Sequence, residues 1–262
     1  MILAVDVGNS NTTVGLFDQE GKLSFRATLE TSQSKTRDQC AIDLFGVFRL
    51  YGADMGAITG AILSSVVPPL TAVFADAITR MTGKTPLVVG PGIKTGLNIK
   101  AEIHDQLGSD IVASSVAAIA GYQSPIVMID MGTATSLSLI QGSVYEGCII
   151  MPGLTLALRA MSEQAAALPP ISIESPAQVA LLGHTTEEAM RSGVLYGHAS
   201  MVDGMLDRIE ERVGQPVTVV ATGGNAPKIL RYCRHEIRYD ANLVIRGLYL
   251  LYQKNTRKPR KA

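Results

Sequence analysis

Two segments of the sequence combine an aspartate, a glycine and a run of small polar residues. Near the N-terminus the chain reads Asp6-Val7-Gly8-Asn9-Ser10-Asn11-Thr12, and near the middle it reads Asp130-Met131-Gly132-Thr133-Ala134-Thr135. Glycine lets the backbone approach a ligand closely, while hydroxyl, amide and backbone N–H groups donate hydrogen bonds to phosphate oxygens. Both segments are therefore candidate phosphate-binding loops, and two such loops facing each other would hold a triphosphate from both sides.

The aspartates at the start of these loops are candidate metal ligands. A bare carboxylate repels phosphate oxygens, so Asp6 and Asp130 indicate metal ions that bridge the protein and the phosphates. Alternatively, each aspartate stabilises its own turn through a side-chain hydrogen bond to the backbone. That alternative is the better interpretation of one isolated Asp-x-Gly, whereas the repeated pair favours metal binding.

A third glycine loop follows a predicted strand at residues 217–221. It reads Thr222-Gly223-Gly224-Asn225 and precedes a helical segment near residues 226–233. A Gly-Gly pair between a strand and a helix is a usual place for adenosine or phosphate, although glycine is also common in such connections without a ligand. The sequence contains no GxxxxGK[ST] and no GxGxxG after a strand, which argues against a P-loop or a dinucleotide-binding fold.

The elements that must position these loops follow from the apolar pattern. Each Asp-x-Gly lies between two β-prone runs, which predicts a hairpin bent around glycine, and strand-like runs follow at 23–29 and 144–150. Apolar residues at helical spacing predict helices at 40–51, 70–81, 111–122, 154–164, 186–213 and 243–253. Further strands are predicted at 57–64, 86–89 and 217–221.

This order of strands and then helices interleaved with strands occurs twice, which predicts the α/β class. We place the boundary between the two halves near residues 121–125, so the predicted domains are 1–122 and 123–262. The alternative is that the two hairpins resemble each other by chance.

Composition excludes several classes of protein. The 262 residues include 23 Lys and Arg against 23 Asp and Glu, so no global charge favours nucleic acid or an acidic membrane as a partner. Cys40, Cys148 and Cys233 are widely spaced and odd in number, which argues against a disulfide framework and favours a reducing, cytoplasmic location. We found no apolar run near the ~20 residues of a membrane span.

As a set, the three glycine loops resemble the phosphate-1, phosphate-2 and adenosine motifs of the type III pantothenate kinases, in the same order and at similar spacing. The similarity extends along nearly the whole chain. The other matching segments are Thr95-Gly96-Leu97, Leu107-Gly108-Ser109-Asp110, Met151-Pro152-Gly153, Ala167-Leu168-Pro169, Gly183-His184-Thr185-Thr186, Arg191-Ser192-Gly193 and Asp240-Ala241-Asn242-Leu243.

The resemblance implies two ribonuclease H-like domains of the actin/hexokinase type. It also implies transfer of the γ-phosphoryl group of ATP to the primary hydroxyl of pantothenate, the first step of coenzyme A biosynthesis. It implies Mg²⁺ at Asp6, a monovalent cation (K⁺ or NH₄⁺) at Asp130, and a homodimer in which Thr186 meets the acceptor at the subunit interface. Gly223 and Gly224 would let adenine or ribose approach the backbone.

Asp110 matches the catalytic aspartate of the family, and Gly108 and Ser109 belong to the same acceptor segment. An ionised carboxylate can orient a hydroxyl and accept its proton late in phosphoryl transfer. The local sequence by itself favours a structural role, because Ser109-Asp110 begins an apolar helix where Ser is a preferred N-cap and Asp suits the first turn. The resemblance reverses that preference, and the two roles are compatible.

The departures from the family lie mainly on the acceptor side. Ile111 replaces the arginine that normally follows the catalytic aspartate, and Ala101 replaces a frequent tyrosine. His104 stands in place of a proline, and Cys148 in place of a glycine. The loss of arginine removes a charge and a fork of N–H donors. Two alternatives therefore remain open: a kinase of a different small hydroxyl compound, or an ATP-binding, catalytically weak regulatory homologue.

Overall fold

The computed structural model describes residues 1–99, 107–173 and 179–256. The chain divides into two compact units, of which the first comprises Met1–Gly121 and the residues from Asn242 onward, and the second is Tyr122–Ala241. The predicted ranges 1–122 and 123–262 therefore need one correction. The C-terminal helix follows the second unit in the chain but belongs to the first unit. Its apolar side chains pack in the core of the first unit.

In each unit an antiparallel β-meander comes first, and helices and further strands follow it. The strands are β1 (Ile2–Val7), β2 (Asn11–Phe17), β3 (Leu23–Glu30), β4 (Gly60–Ser65), β5 (Leu87–Val88), β6 (Asn98–Ile99), β7 (Ile126–Met131), β8 (Ala134–Gln141), β9 (Val144–Pro152), β10 (Thr218–Thr222) and β11 (Arg238–Tyr239). The helices are α1 (Arg37–Leu50), α2 (Pro68–Thr82), α3 (Ser109–Gly121), α4 (Leu154–Gln164), α5 (Thr186–Val213), α6 (Ala226–Ile229) and α7 (Leu243–Thr256). Short 3₁₀ turns occupy Met55–Ala57 and Leu230–Tyr232.

The two units repeat one strand topology. In the first unit the order is β3-β2-β1-β4-β5, with β1–β2–β3 antiparallel and β4 and β5 parallel to β1. In the second unit the corresponding strands run β9-β8-β7-β10-β11 with the same directions. The central strands β1 and β7 also share one burial pattern, in which only the aspartate is not fully buried. The hairpin repeat seen in the sequence is thus part of a duplicated sheet.

The core of the first unit lies on both faces of its sheet. Leu3, Val5 and Val7 of β1 pack in one apolar cluster with α1 and α2, whereas Ile2 and Ala4 pack in a second cluster with α3 and α7. This alternation follows from the period of two in a strand. Because both faces are covered, residues 2–5 of β1 form a continuous apolar run before Asp6, as expected for a central strand with a parallel neighbour.

The second unit has one large cluster, in which alternate residues of β7 pack against α4 and α5. The long helix α5 has the predicted bounds. It begins with a capping box, since the Thr185 hydroxyl accepts from the Glu188 backbone N–H and the Glu188 carboxylate accepts from the Thr185 N–H.

Three helices begin earlier than predicted: α1 by three residues, and α2 and α3 by two residues each. Helix α1 begins at Arg37 rather than residue 40, because Thr36 and Gln39 form a capping box that starts the helix before its first buried residue, Cys40. No helix among the described residues is both long enough and apolar enough to cross a bilayer.

Candidate active site

The first hairpin presents its polar tip at the end of β1. The Gly8 N–H donates to the Asn11 carbonyl at 3.0 Å, which closes the turn, and Asn9, Ser10 and Asn11 are exposed. The Thr12 side chain is fully buried, and its hydroxyl lies 2.9 Å from that of Thr31 on the neighbouring chain segment. The exposed residues at the tip are therefore accessible to a ligand, whereas the buried Thr12 packs inside the hairpin.

The second hairpin has a similar construction, with a turn that is one residue shorter. The Gly132 N–H donates to the Ala134 carbonyl at 3.0 Å, and Thr133 and Ala134 are exposed. Thr135 is 1% exposed, and its hydroxyl has no hydrogen-bond partner among the residues that the structure describes. The predicted phosphate contacts of Thr12 and Thr135 stay predictions, since both side chains are covered.

The third loop is attached to the second hairpin. Strand β10 runs parallel to β7 with Thr222 opposite Asp130, which brings the Gly-Gly pair to the end of the hairpin. The backbone N–H of Asn225 donates to the Met131 carbonyl, and its side-chain amide donates to the Gly132 carbonyl, both at 3.1 Å. The loop and the hairpin are thus held together by one residue.

Gly223 is required by this arrangement. Its φ of +94° lies in the left-handed region, and an added Cβ would lie 2.6 Å from the Met131 carbonyl group and 2.7 Å from Asp130 Oδ1. At Gly224, in contrast, an added Cβ would have no described atom within 4 Å. Gly223 therefore serves the packing of the loop, whereas Gly224 leaves open space beside it.

Asp110 lies in the first turn of α3, at the edge of the first sheet where β1 and β4 end. Asp6 on β1 is opposite Ser64 on parallel β4, and the hydroxyls of Ser64 and Ser109 are 2.9 Å apart. Asp6 and Asp110 are therefore brought to the same edge of this sheet by two parallel strands and one helix start.

Ser109 does not act as the predicted N-cap. It is the first residue of α3, and its hydroxyl accepts from the Ser65 N–H at 3.1 Å and lies 3.2 Å from the Ser65 carbonyl, to which it can donate. The side chain bonds to the neighbouring strand instead of to its own helix because the end of β4 offers backbone groups within reach. This bond ties the start of α3 to the sheet.

The Asp110 carboxylate is partly buried and held in place. Its Oδ1 accepts from the Ile111 backbone N–H at 2.8 Å, so the side chain also has the structural role that its position in the first turn predicted. Burial raises the pKa of Asp110 above its usual value, and the backbone hydrogen bond opposes that shift. A Cβ at position 108 would collide with Asp110 Oδ1, so Gly108 leaves room for the carboxylate. A buried carboxylate with a raised pKa is a suitable proton acceptor.

The remaining predicted residues fall outside these two clusters. Thr186 is exposed at the start of α5, and no described contact brings it to a hairpin. Ala101 and His104, where the sequence departs from the family, lie outside the described residues. Ser64, Ser65 and Asn225 were missed as site residues. Their signal was small polar residues at the ends of predicted strands, where side chains often bond to nearby backbone.

The donor set suits cations held jointly with phosphate. Among the described residues no group of three or more His, Cys, Asp or Glu could hold a metal ion by itself. Mg²⁺ in nucleotide sites usually has one or two carboxylate ligands and completes its shell with phosphate oxygens and water. A single half-buried aspartate beside each predicted phosphate-binding loop fits that arrangement.

Comparison with solved structures gives the class of protein. A conserved putative Baf family transcriptional activator from Campylobacter jejuni superposes with a TM-score of 0.60 at 20% identity, covering 97% of this chain and 98% of that one. A putative 2-dehydro-3-deoxygalactonokinase from Sinorhizobium meliloti has a TM-score of 0.59 at 14% identity, covering 100% and 99%. At these identities the likeness concerns the fold, which confirms the predicted α/β class of two ribonuclease H-like domains of the actin/hexokinase type.

Sequence comparison gives the family. The type III pantothenate kinase model matches residues 2–208. The type III pantothenate kinase of Bacillus cytotoxicus is 40% identical over 260 residues, covering 97% of both chains, and that of Shouchella clausii is 38% identical, covering 97% of this chain and all of the other. The chain belongs to the type III pantothenate kinase family, whose members are ATP-dependent kinases, and the resemblance carried by the motifs is confirmed.

Proposed function

We propose that the protein transfers the γ-phosphoryl group of ATP to the primary hydroxyl of pantothenate, forming 4′-phosphopantothenate in the first step of coenzyme A biosynthesis. Full-length relatives that bear the name of this activity support the proposal. The observation that carries it is the partly buried Asp110 carboxylate at the sheet edge that also holds Asp6. A kinase needs such a base beside a phosphate-binding loop.

In the proposed reaction the alcohol oxygen attacks the γ-phosphorus, the bond to the oxygen bridging the β- and γ-phosphates breaks, and ADP leaves. Asp110 orients the hydroxyl and accepts its proton. The exposed tips of both hairpins donate backbone and side-chain hydrogen bonds to phosphate oxygens, through Asn9, Ser10, Asn11 and Thr133. Gly8 and Gly132, whose N–H groups close their own turns, let the backbone approach the phosphates. Such fixed donors stabilise the charge on the transferring group without reorganising.

We assign Asp6 to Mg²⁺ and Asp130 to K⁺ or NH₄⁺. When bound, these cations would neutralise phosphate charge. The support for Asp130 is its place between the second hairpin and the Gly223 loop, where the Met131 carbonyl oxygen and Asp130 Oδ1 face the same point beside Gly223. The support for Asp6 is its half-buried position at the end of β1.

We also propose a homodimer in which Thr186 contributes to the acceptor site of its partner. Thr186 is exposed at the N-terminus of α5, and two adjacent leucines just before the helix, Leu181 and Leu182, are 65% and 79% exposed. Adjacent exposed leucines are typical of a surface that is covered in an assembly.

The dimer has a direct test. Replacing Leu182 by Asp would put a charge into the proposed interface, and we expect it to shift the protein toward monomer and to raise the KM for pantothenate about tenfold or more. Sedimentation equilibrium and steady-state kinetics measure these effects. Leu50→Asp, at a leucine that is 80% exposed on the other unit, is the matched control. A variant that stays as dimeric as the wild type would contradict the assignment.

Ile111 is the specific observation in favour of a second candidate, a kinase of another small hydroxyl compound. Its aliphatic side chain stands next to the proposed base and offers no hydrogen-bond donor to a substrate carboxylate. The third candidate, an ATP-binding but catalytically weak regulatory homologue, is weakened by the retained Asp110. A cytoplasmic location, and the absence of nucleic-acid and membrane partners, stay predictions.

One experiment separates the three functions. Purified protein is incubated with ATP, Mg²⁺, K⁺ or NH₄⁺ and a panel of alcohols, and ADP release is followed. Release that depends on pantothenate is the expected result. Release only with a different alcohol would support the second candidate, and nucleotide binding without turnover on any acceptor would support the regulatory homologue.

A further inference from the structure

The imidazole of His198 lies inside the second unit, on helix α5, where the residue is 4% exposed. Its Nδ1 is 2.8 Å from the Val194 carbonyl oxygen, one turn earlier in the same helix. Its Nε2 is 3.2 Å from the Pro152 carbonyl oxygen, at the end of β9. The ring therefore connects α5 to the last residue of the strand that pairs with β8 of the second hairpin.

The contact with Pro152 sets a requirement on the protonation of the ring. A carbonyl oxygen only accepts hydrogen bonds, so Nε2 must carry a hydrogen to bond to it. The Nε2–H tautomer and the charged imidazolium meet that requirement, whereas the Nδ1–H tautomer does not. The Val194 carbonyl also accepts the backbone N–H of His198 in the α-helical pattern, so it has a donor whichever ring nitrogen is protonated.

One peptide group joins His198 to the tip of the second hairpin. The C=O of Pro152 and the N–H of Gly153 belong to the same planar peptide, in which they point in opposite directions. The C=O faces His198 Nε2, and the N–H donates to the Thr133 carbonyl at 3.2 Å. The ring is thus linked to the hairpin tip through a single rigid group rather than through a flexible segment.

The register of β8 and β9 agrees with this orientation. In an antiparallel pair, hydrogen-bonded and non-hydrogen-bonded positions alternate along the strands. Gly153 bonds to Thr133, so the following pair, Pro152 with Ala134, is not hydrogen-bonded, and the Pro152 carbonyl points away from β8. The packing is equally close, because a Cβ at position 153 would collide with the carbonyl oxygens of Thr133 and Gly132. A shift of this peptide therefore also shifts the tip.

The next peptide in this series lies between Thr133 and Ala134. Since its C=O is held toward Gly153, its N–H, which belongs to Ala134, points away from β9. Thr133 and Ala134 are exposed residues of the predicted phosphate-binding tip. Two hydrogen bonds thus connect the buried ring to the peptide that carries a tip N–H, and each bond polarises the next.

We propose that His198 is a positioning residue for ATP, which holds the second hairpin in its phosphate-binding orientation through the peptide between Pro152 and Gly153. The proposal rests on the proposed function, because it takes the hairpin tip as a phosphate site. The effect concerns the nucleotide because the two hydrogen bonds end at Thr133, on the tip itself. The Ala134 N–H is the donor that this arrangement directs to a phosphate oxygen.

Two amides of different length test the contact. The side-chain nitrogen of asparagine is as many bonds from the backbone as Nδ1 of histidine, and that of glutamine as many as Nε2. His198→Asn therefore keeps the contact within α5 but does not reach Pro152, whereas His198→Gln reaches it. Both variants lose the ring, so a merely structural role of the ring would affect them alike. Tyr196→Phe is the matched control, because it removes a bond from α5 to the Val179 carbonyl, at 3.1 Å, instead of the contact with β9.

For His198→Asn we expect about a tenfold higher Kd for ATP, measured by calorimetric titration, and faster hydrogen exchange at residues 132–135 and at Gly153. The KM for the acceptor should change by less than about twofold. His198→Gln and Tyr196→Phe should stay within about threefold of the wild type in ATP affinity and should keep its exchange pattern. In the wild type, long-range ¹⁵N–¹H correlation NMR should show a hydrogen on Nε2 of His198.

The outcomes separate this role from the proposed function. Weaker ATP binding and faster exchange in His198→Asn, both recovered in His198→Gln, support the proposal. Equal effects in the two variants, an unchanged Kd for ATP, a raised acceptor KM alone, or an Nε2 without hydrogen overturn it. If the wild type binds ATP but phosphorylates a different alcohol or none, the proposed function fails, and the comparison of Kd values still decides on His198. The NMR measurement needs no variant, so it tests the contact even if a substitution unfolds the protein.

Discussion

At the scale of single residues, the site depends on the fixed position of the Asp110 carboxylate. Its carboxylate accepts a backbone hydrogen bond, Gly108 leaves the space that it occupies, and Ser109 ties its helix to β4. Catalysis by positioning loses about a hundredfold for a displacement of about 1 Å, so these neighbours matter as much as the carboxylate itself.

Asp110→Asn tests the assigned base. The amide keeps the size of the side chain but cannot accept the proton, so we expect kcat to fall by about 10²–10⁴ while the affinity for ATP stays within about twofold. Steady-state kinetics and calorimetric titration with ATP measure the two quantities. Unchanged turnover would rule out Asp110 as the base.

For the same variant we also predict how its stability relative to the wild type depends on pH. Burial raises the folded-state pKa of Asp110, so the folded protein binds this proton more tightly than the unfolded chain. The resulting stabilisation is present below the unfolded pKa and is lost as pH rises through the folded pKa. Asp110→Asn should therefore be more stable than the wild type at neutral pH, with the difference shrinking in acid, as measured by thermal unfolding at several pH values.

Gly108→Ala tests whether the space around the carboxylate is needed. The added methyl group would collide with Asp110 Oδ1, and we expect the displaced carboxylate to lower kcat about tenfold or more. Gly46→Ala in α1 is the matched control, because a Cβ there has no described atom within 4 Å. Equal kinetics of the two variants would show that the carboxylate tolerates the displacement.

At the scale of elements, the site is made from strand ends. The parallel pairs β1–β4 and β7–β10 each bring two strand ends together, and each pair places an aspartate opposite a hydroxyl residue. Polar residues from separate stretches of the sequence thereby become neighbours. The loop after β10 then adds Asn225, which joins the Gly223-Gly224 loop to the second hairpin.

Two neighbouring glycines are expected to have different roles, Gly223 in packing and Gly224 in ligand binding. In Gly223→Ala the added methyl group would collide with the Met131 carbonyl, and alanine would have to adopt a left-handed φ. We therefore expect this substitution to lower the free energy of unfolding by about 1–3 kcal/mol even without nucleotide. Gly224→Ala meets no described atom, so it should leave stability unchanged and raise the KM for ATP about tenfold if adenosine lies against this backbone. Chemical denaturation and kinetics distinguish them, and a Gly224→Ala enzyme with normal ATP kinetics would remove Gly224 from the site.

At the scale of the whole molecule, the first unit is closed by the last helix of the chain. Ile245, Leu248 and Leu251 of α7 are at most 1% exposed and complete the cluster that contains α3. The residues that support Asp110 therefore come from both ends of the sequence.

Truncation tests this closure. Ending the chain before Leu243 would remove the four buried apolar side chains of Leu243, Ile245, Leu248 and Leu251. Each is worth about 1.5–3 kcal/mol, and their loss is comparable to the whole stability of a typical domain of about 5–15 kcal/mol. We expect that shortened protein to lose its cooperative thermal transition, measured by circular dichroism. Ending the chain after Thr256 removes only the basic tail and should leave the transition unchanged. A stable protein ending before Leu243 would contradict the assignment of α7 to the first unit.

The sequence by itself determined the family, the fold class, the duplicated hairpin and the candidate loops. These follow from local signals, namely apolar period, glycine position and small polar residues, which neighbouring residues of the chain express without tertiary contacts. Tertiary structure alone decided that Ser109 bonds to β4 rather than capping its helix, that Thr12 and Thr135 are covered, that Asn225 joins two loops, and that α7 belongs to the first unit. Each of these depends on a partner distant in sequence, and only the folded chain determines which backbone group or apolar surface that partner is.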